Sequence, residues 1–404
     1  MNSLQQNTNE TQRPSQLWKW VALAIVALLA SQPVGAQTAP SGLSPNLAAS
    51  PANTLSWGVN VHDGGSDPQM MARRLAERNL KSVRMDLWGN DPSALAKFRR
   101  AAAAFKAKGI NIQAVIYTDF SARRPRNQDL AADPAEVEKT AYKQTRSQVE
   151  ATKDLVHDYE LGNETTLGTP HILVDGATGQ KLTDFDTPSG HLQAAALRGM
   201  SKAIHDVGTS SGLPLRVILG TVNRHWGFLA SMEQQGVLFD VISYHTYSWE
   251  HQKPLDQDPW FGPGGVMGQL ALFKKPITIN EFNAGEIYSG TPGHEGADYL
   301  NRVGDPITEK GYKGLDKHLK EILRQSAAKV ESILFYEVVD EANKKPPENR
   351  FGIYYDAELQ KPKISLLLIT SYAGGALTPA ERQELTSRGI GIQRQATNRE
   401  WPFP

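Results

Sequence analysis

The chain has 404 residues, of which 40% are apolar, so it can bury a large core and is not a disordered polymer. Lys plus Arg number 43 and Asp plus Glu number 43, a balance that gives no global reason to expect nucleic acid or an anionic membrane as partner. Cysteine is absent, which excludes disulfides, thiolate nucleophiles, iron–sulfur clusters and Cys-based zinc sites.

The chain begins with a polar leader, then Lys19 and a ten-residue apolar run, 21–30. Val34-Gly35-Ala36 follows, with small residues where a signal peptidase cuts. Residues 1–36 are therefore expected to be a signal peptide. The apolar run is short for a bilayer span, although the long leader keeps an uncleaved anchor as the alternative. Either way the body is expected to be secreted or periplasmic, with no stable membrane insertion after cleavage. Residues 37–54 are rich in Pro, Ser, Ala and Asn and read as a linker.

From residue 55 onward, strand and helix patterns alternate. Strands are expected at 57–62, 82–88, 110–118, 157–164, 215–223, 239–247, 276–282 and 331–339. Helices are expected at 67–79, 92–109, 134–155, 190–208, 227–235, 264–273, 309–328 and 362–373. The strands are mostly apolar on both faces, as parallel strands covered by helices should be. Eight β/α units over 55–375 predict an α/β fold, a single (β/α)8 barrel. A doubly wound open sheet is the runner-up. The "HDGGSD" stretch after strand one lacks the glycine spacing of a dinucleotide loop. The stretch 174–182 resembles a small hairpin, and a tail over 376–404 carries a short helix at 379–387.

In such a barrel the site lies at the C-terminal strand ends. Strand one ends on Asn60 and His62. Strand two carries Arg84, Asp86 and Trp88 at period two, on one face. Strand four ends on Asn163 and Glu164, and strand five near Asn223, His225 and Trp226. Strand six carries His245 and Tyr247 in phase with Ser243. Strand seven ends on Glu281, and strand eight carries Tyr336 and Glu337. Glu164 and Glu281, three strands apart around the ring, can face each other across the mouth. Paired carboxylates are what glycosidic cleavage needs: one gives a proton to the leaving oxygen, the other attacks the anomeric carbon or activates water. Asn163 beside the acid can bind the sugar 2-hydroxyl. Presenting both Asn163 and Glu164 to one site requires a local bulge. Trp88, Trp226, Trp249 and Trp260 fall on strand ends and strand-to-helix loops, where aromatic faces stack on sugar rings. Long stretches at 248–265 and 166–189 could wall a cleft. His62, His225 and His245 come from separate strands without a close-spaced pair, so no metal and no cofactor are expected.

"YELGNE" at 159–164, "ISYHTY" at 242–247, "ITINEF" at 277–282 and "FYEVVDE" at 335–341 are similar to clan A of the glycoside hydrolases. They look most like family 39 and its relatives, which include bacterial β-xylosidases and endoglycosidases encoded with exopolysaccharide biosynthesis. The resemblance implies that Glu164 is the acid/base and Glu281 the nucleophile. It implies that Tyr247 hydrogen-bonds the nucleophile and that Arg84 lies near it. His245 and Glu337 are expected to bind substrate, Glu337 through a hydroxyl or by pairing with Arg84. Many clan members close strand eight with Trp as a sugar platform; here the stretch is Phe335-Tyr336-Glu337, so the platform is expected to be Tyr336 or to come from a loop. The function so implied is a secreted retaining β-glycosidase, an endoglycosidase acting on a bacterial exopolysaccharide. A carboxyl separation of about 5–5.5 Å is then expected. The alternatives are a non-catalytic polysaccharide-binding barrel, an exo-acting β-xylosidase-like enzyme, and a transglycosylase. The expected partner is an oligosaccharide or polysaccharide, bound by a monomer.

Overall fold

The computed structural model describes residues 55–62, 64–89, 91–120, 132–248, 261–284, 309–326, 329–344 and 348–392. Helix after helix starts on a capping residue followed by proline. Asp67, Asp91, Asp133 and Thr187 accept hydrogen bonds from Met70 N–H, Ser93 N–H, Ala135 N–H and Gly190 N–H, and proline holds the first turn. These caps set the helices Pro68–Glu77, Pro92–Lys106, Pro134–Thr152 and Pro188–Ser211. The expected helix at 190–208 is thus longer at both ends. Gly199 lets two of these helices touch: a Cβ there would stand 2.2 Å from the Glu138 carbonyl oxygen.

The strands are β1 Ser56–His62, β2 Ser82–Leu87, β3 Asn111–Ile116, β4 Asp158–Leu161, β5 Arg216–Val222, β6 Val241–Ser248, β7 Ile277–Ala284 and β8 Val330–Phe335. They pair in sequence order, and β8 closes on β1 in parallel, with Trp57 opposite Ile333. The fold is a (β/α)8 barrel. Among the described residues no helix is long and apolar enough to cross a membrane. The segment expected to be a leader lies outside the described residues, as do Trp249, Trp260 and most of the 248–265 stretch.

Two features depart from the sequence reading. The stretch 174–182 forms no hairpin: a turn follows Val174, and a 3-10 helix, Leu182–Phe185, comes next. The barrel interior is also not apolar throughout. Arg84 of β2, Glu160 of β4 and Ser243 of β6 are buried, and Arg84 and Ser243 both donate to Glu160 across the interior. Side chains from alternate strands form such layers in these barrels, but here one layer is charged. The short tail helix, Pro379–Ser387, has a capping box from Thr378 and Glu381. Glu381 also accepts a bidentate pair from Arg78 at 2.6 and 3.0 Å, and Leu385 is fully buried.

Candidate active site

β4 stops at Leu161, not at 164. Gly162 (φ 73°) and Glu164 (φ 46°, ψ 45°) are both left-handed. The change of hand, rather than a bulge, presents Asn163 and Glu164 together. The Glu164 carbonyl oxygen accepts from Leu167 N–H and Gly168 N–H, starting the helical turn Thr165–Gly168. A non-glycine residue in this region costs about 1–2 kcal/mol, so the surrounding contacts must hold it. Register shifts do occur nearby, between Tyr244 and His245 in β6 and between Ile279 and Phe282 in β7. They bracket His245 and Glu281, and such irregularities re-aim side chains at a barrel rim.

Arg84 ties the site together from beneath. Its Nε donates to Glu160 Oε2 (2.5 Å), and its Nη1 donates to Glu281 Oε1 (2.8 Å) and to Asn60 Oδ1 (3.0 Å). Its Nη2 donates to Asn163 Oδ1 (2.7 Å). Burial opposes the guanidinium charge, but Glu160 and Glu281 outweigh it and hold Arg84 firmly protonated. Glu160 also accepts from Gln113 Nε2 and Ser243 Oγ, so the carboxylate is fully hydrogen-bonded and paired.

Above this layer, Tyr247 OH donates to Glu281 Oε2 at 2.5 Å. His245 Nδ1 stands 3.0 Å from Glu164 Oε1 and 3.4 Å from Glu281 Oε2. One ligand atom each from Glu164, His245 and Glu281 all lie within 4.8 Å of one another. Burial disfavours an imidazolium, yet Glu281 and Glu164 prevail and raise the His245 pKa. Burial, reinforced by Glu281, keeps the Tyr247 phenol protonated. Sequence expectation and geometry agree that Asn163, Glu164, Arg84, His245, Tyr247 and Glu281 converge.

A second polar group lines the β1, β2 and β8 ends. His62 Nδ1 meets Asp86 Oδ2 at 3.2 Å, and Nε2 meets Glu337 Oε2 at 2.9 Å. Tyr117 OH donates to Asp86 Oδ1 at 2.9 Å. Lys344 Nζ reaches Glu337 at 3.3 Å and Glu348 at 3.1 Å, and it also pairs with Glu341. Glu337 therefore pairs with His62 and Lys344, not with Arg84. Burial lowers the His62 pKa, but hydrogen bonds to Asp86 and Glu337 reverse this and raise it to about 10. A raised folded pKa means stabilisation that is full below the ordinary value near 6.5 and fades as pH rises toward 10. The unfolding free-energy difference between wild type and His62→Gln is expected to be largest below pH 6.5 and to shrink toward pH 10. Urea melts across that range check this; a difference that does not vary with pH refutes it.

Two aromatic expectations are corrected. Tyr336 is 2% exposed, with the rings of His62 and Tyr247 near it at 5.5 and 6.4 Å and Lys344 Nζ over its face at 4.6 Å, so it offers no sugar platform. Trp226 is 7% exposed because it opens the helix Trp226–Gln234 and packs into the core. Trp88 is 46% exposed at the end of β2. His225 lies beside the turn after Glu164, its Nδ1 2.8 Å from Thr166 Oγ1, and burial with Arg224 pushes its pKa down to about 4.

Among the described residues two groups bring possible metal-ligand atoms within 4.8 Å: Glu164, His245 and Glu281, and His62, Glu337 and Glu341. Arg84 already pairs with Glu281, and Lys344 with Glu337 and Glu341. The sequence reading missed Glu160, Tyr117 and Lys344. A mid-strand carboxylate in a parallel strand flags Glu160, since such strands are otherwise apolar. Lys344 lies on a loop and carries no comparable signal.

No protein-family model matches the chain, and no curated protein matches it in sequence. Solved structures do. A GH53 catalytic domain from Ignisphaera aggregans is similar with a TM-score of 0.52 at 15% identity, covering 79% of this chain and 96% of that one. A beta-glucosidase from Thermotoga maritima in complex with deoxynojirimycin is similar with a TM-score of 0.51 at 12% identity, covering 83% of this chain and 98% of that one. At such identities the likeness speaks for the fold, and the chemistry rests on the residues above.

Proposed function

We propose that the protein is a retaining β-glycoside hydrolase with Glu281 as nucleophile and Glu164 as acid/base. The observation that carries this is the approach of Glu164, His245 and Glu281, with one polar atom of each within 4.8 Å of the others. Retaining enzymes hold their carboxyls about 5–5.5 Å apart, whereas inverting enzymes leave about 6.5–9.5 Å for a water. In the first step a Glu281 oxygen bonds to the anomeric carbon while the bond to the leaving oxygen breaks and Glu164 gives that oxygen its proton. In the second, Glu164 takes a proton from water, the water oxygen bonds to the anomeric carbon, and the ester to Glu281 breaks. Arg84 and Tyr247 each donate a hydrogen bond to one Glu281 oxygen, which holds the nucleophile in place and aims it. Arg84 holds the Asn163 Oδ1 end, which reserves the amide N–H groups for the sugar 2-hydroxyl.

The exopolysaccharide substrate and endo action rest on the resemblance of four short motifs and on the exposed face of Trp88. Export rests on the leader-like residues 1–36. A panel of defined β-linked oligosaccharides, followed by mass analysis of products and by NMR of the first anomer released, tests the whole reading. The β-anomer is expected first; release of the α-anomer sinks the retaining assignment.

Tyr247→Phe removes one donor to the nucleophile. Hydrogen bonds to charged groups are worth about 1.5–3 kcal/mol, so kcat on an aryl β-glycoside is expected to fall on the order of 10- to 100-fold. Unchanged kcat in a folded variant would remove Tyr247 from the mechanism.

A further inference from the structure

Among the described tryptophans, Trp57 and Trp226 are buried, while Trp88 is 46% exposed. Its ring is not loose. It stacks on Tyr117 with centroids 4.2 Å apart and planes 8° from parallel. Tyr117 is 6% exposed and is held at both ends: its OH donates to Asp86, and its carbonyl accepts from Gln148 Nε2 at 3.0 Å. Gly89 follows Trp88, and a Cβ there would stand 2.0 Å from the Gln148 side chain, so the backbone at this point is wedged against a buried neighbour. One face of a flat aromatic ring is therefore backed and aimed, and the opposite face meets solvent.

Its place fixes what it can do. The acid Glu164 stands just past the end of β4, and the leaving group must depart beside it. The polar wall of His62, Asp86 and Glu337 lies at the ends of β1 and β2 and just past β8, where the hydroxyls of the reacting ring would be held. Trp88 lies beyond Asp86 on β2, four residues and roughly 13 Å along the chain from Arg84 at about 3.3 Å per residue.

We infer that the Trp88–Tyr117 pair is a second sugar subsite, one unit beyond the reacting ring on its non-reducing side, for a β-linked pyranosyl residue that presents a flat C–H face. This rests on the hydrolase reading for its direction, but not for the binding itself. It makes chains with at least two units on that side the preferred substrates, and it gives endo action a structural cause.

The test uses the full chain with 4-nitrophenyl β-monosides and β-biosides of the gluco, xylo, manno and galacto series. For the cleaved series, Trp88→Ala is expected to lower kcat/KM on the bioside at least tenfold more than on the monoside, and Trp88→Phe to recover most of the loss. Equal losses on monoside and bioside overturn the subsite. In parallel, β-linked tetrasaccharides of the same four series are titrated by intrinsic fluorescence and calorimetry. Binding that weakens at least tenfold in Trp88→Ala and returns in Trp88→Phe supports the subsite even if the wild type cleaves nothing, an outcome that fails the hydrolase reading alone. Binding unaffected by Trp88→Ala, or absent across the panel, overturns the subsite.

Discussion

Glu281→Ala is expected to lower kcat/KM on an activated aryl β-glycoside on the order of 10⁴-fold or more, and azide to restore turnover. The size follows from the role: without the carboxylate no covalent intermediate forms, and what remains is binding and proton donation. Azide fits the space the side chain leaves and attacks from the same face, so the product should be the α-glycosyl azide. Glu164→Ala should behave differently. Activated leaving groups need little protonation, so the first step persists, the second slows, and azide yields the β-glycosyl azide. The pair of opposite products assigns the two roles, which loss of activity alone cannot do. An azide product of the same configuration from both variants, or none from either, would refute the assignment.

Arg84→Met is expected to cost about 3–5 kcal/mol of stability, because it strands Glu160 and Glu281 as buried carboxylates. Urea unfolding measures it. The second arm is the double variant Arg84→Met with Glu160→Met. Removing both charges of the deeper pair leaves only Glu281 uncompensated, and Glu281 retains its Tyr247 hydrogen bond. The double variant should therefore be more stable than Arg84→Met alone, a non-additivity that marks direct coupling. If Arg84→Met unfolds within about 0.5 kcal/mol of wild type, the charged layer does not hold the barrel together.

The barrel was legible because its punctuation is local. Capping Asp or Thr residues before proline set helix starts, and apolar runs set strands, so most element ends fall within a few residues of expectation. The ends of β4 and β8 were read too long, since polar residues such as Asn163 and Glu337 continue the sequence pattern while the backbone has already turned. The convergence of Asn163, Glu164, Arg84, His245, Tyr247 and Glu281 was legible for a related reason: each stands on a strand or just past its end, and barrel closure gathers those segments, while the left-handed turn at Glu164 and the register shifts in β6 and β7 complete the aim. Side-chain burial was not. Nothing in the order of residues says that Trp226 turns inward while Trp88 stays out, or that Lys344 folds over Tyr336. Glu160 was passed over because it precedes the strand tip, where carboxylates attract less notice than at the rim.

The pairing of β8 with β1 has a consequence for how the chain matures. The ring cannot close until the last strand is available, so an incomplete polypeptide keeps β1 as an unpaired edge throughout synthesis. Such a long-range junction is slow to form and prone to sticking to other copies while it waits. A chain that stops between β1 and β8 would therefore yield a product that clumps rather than a smaller working unit.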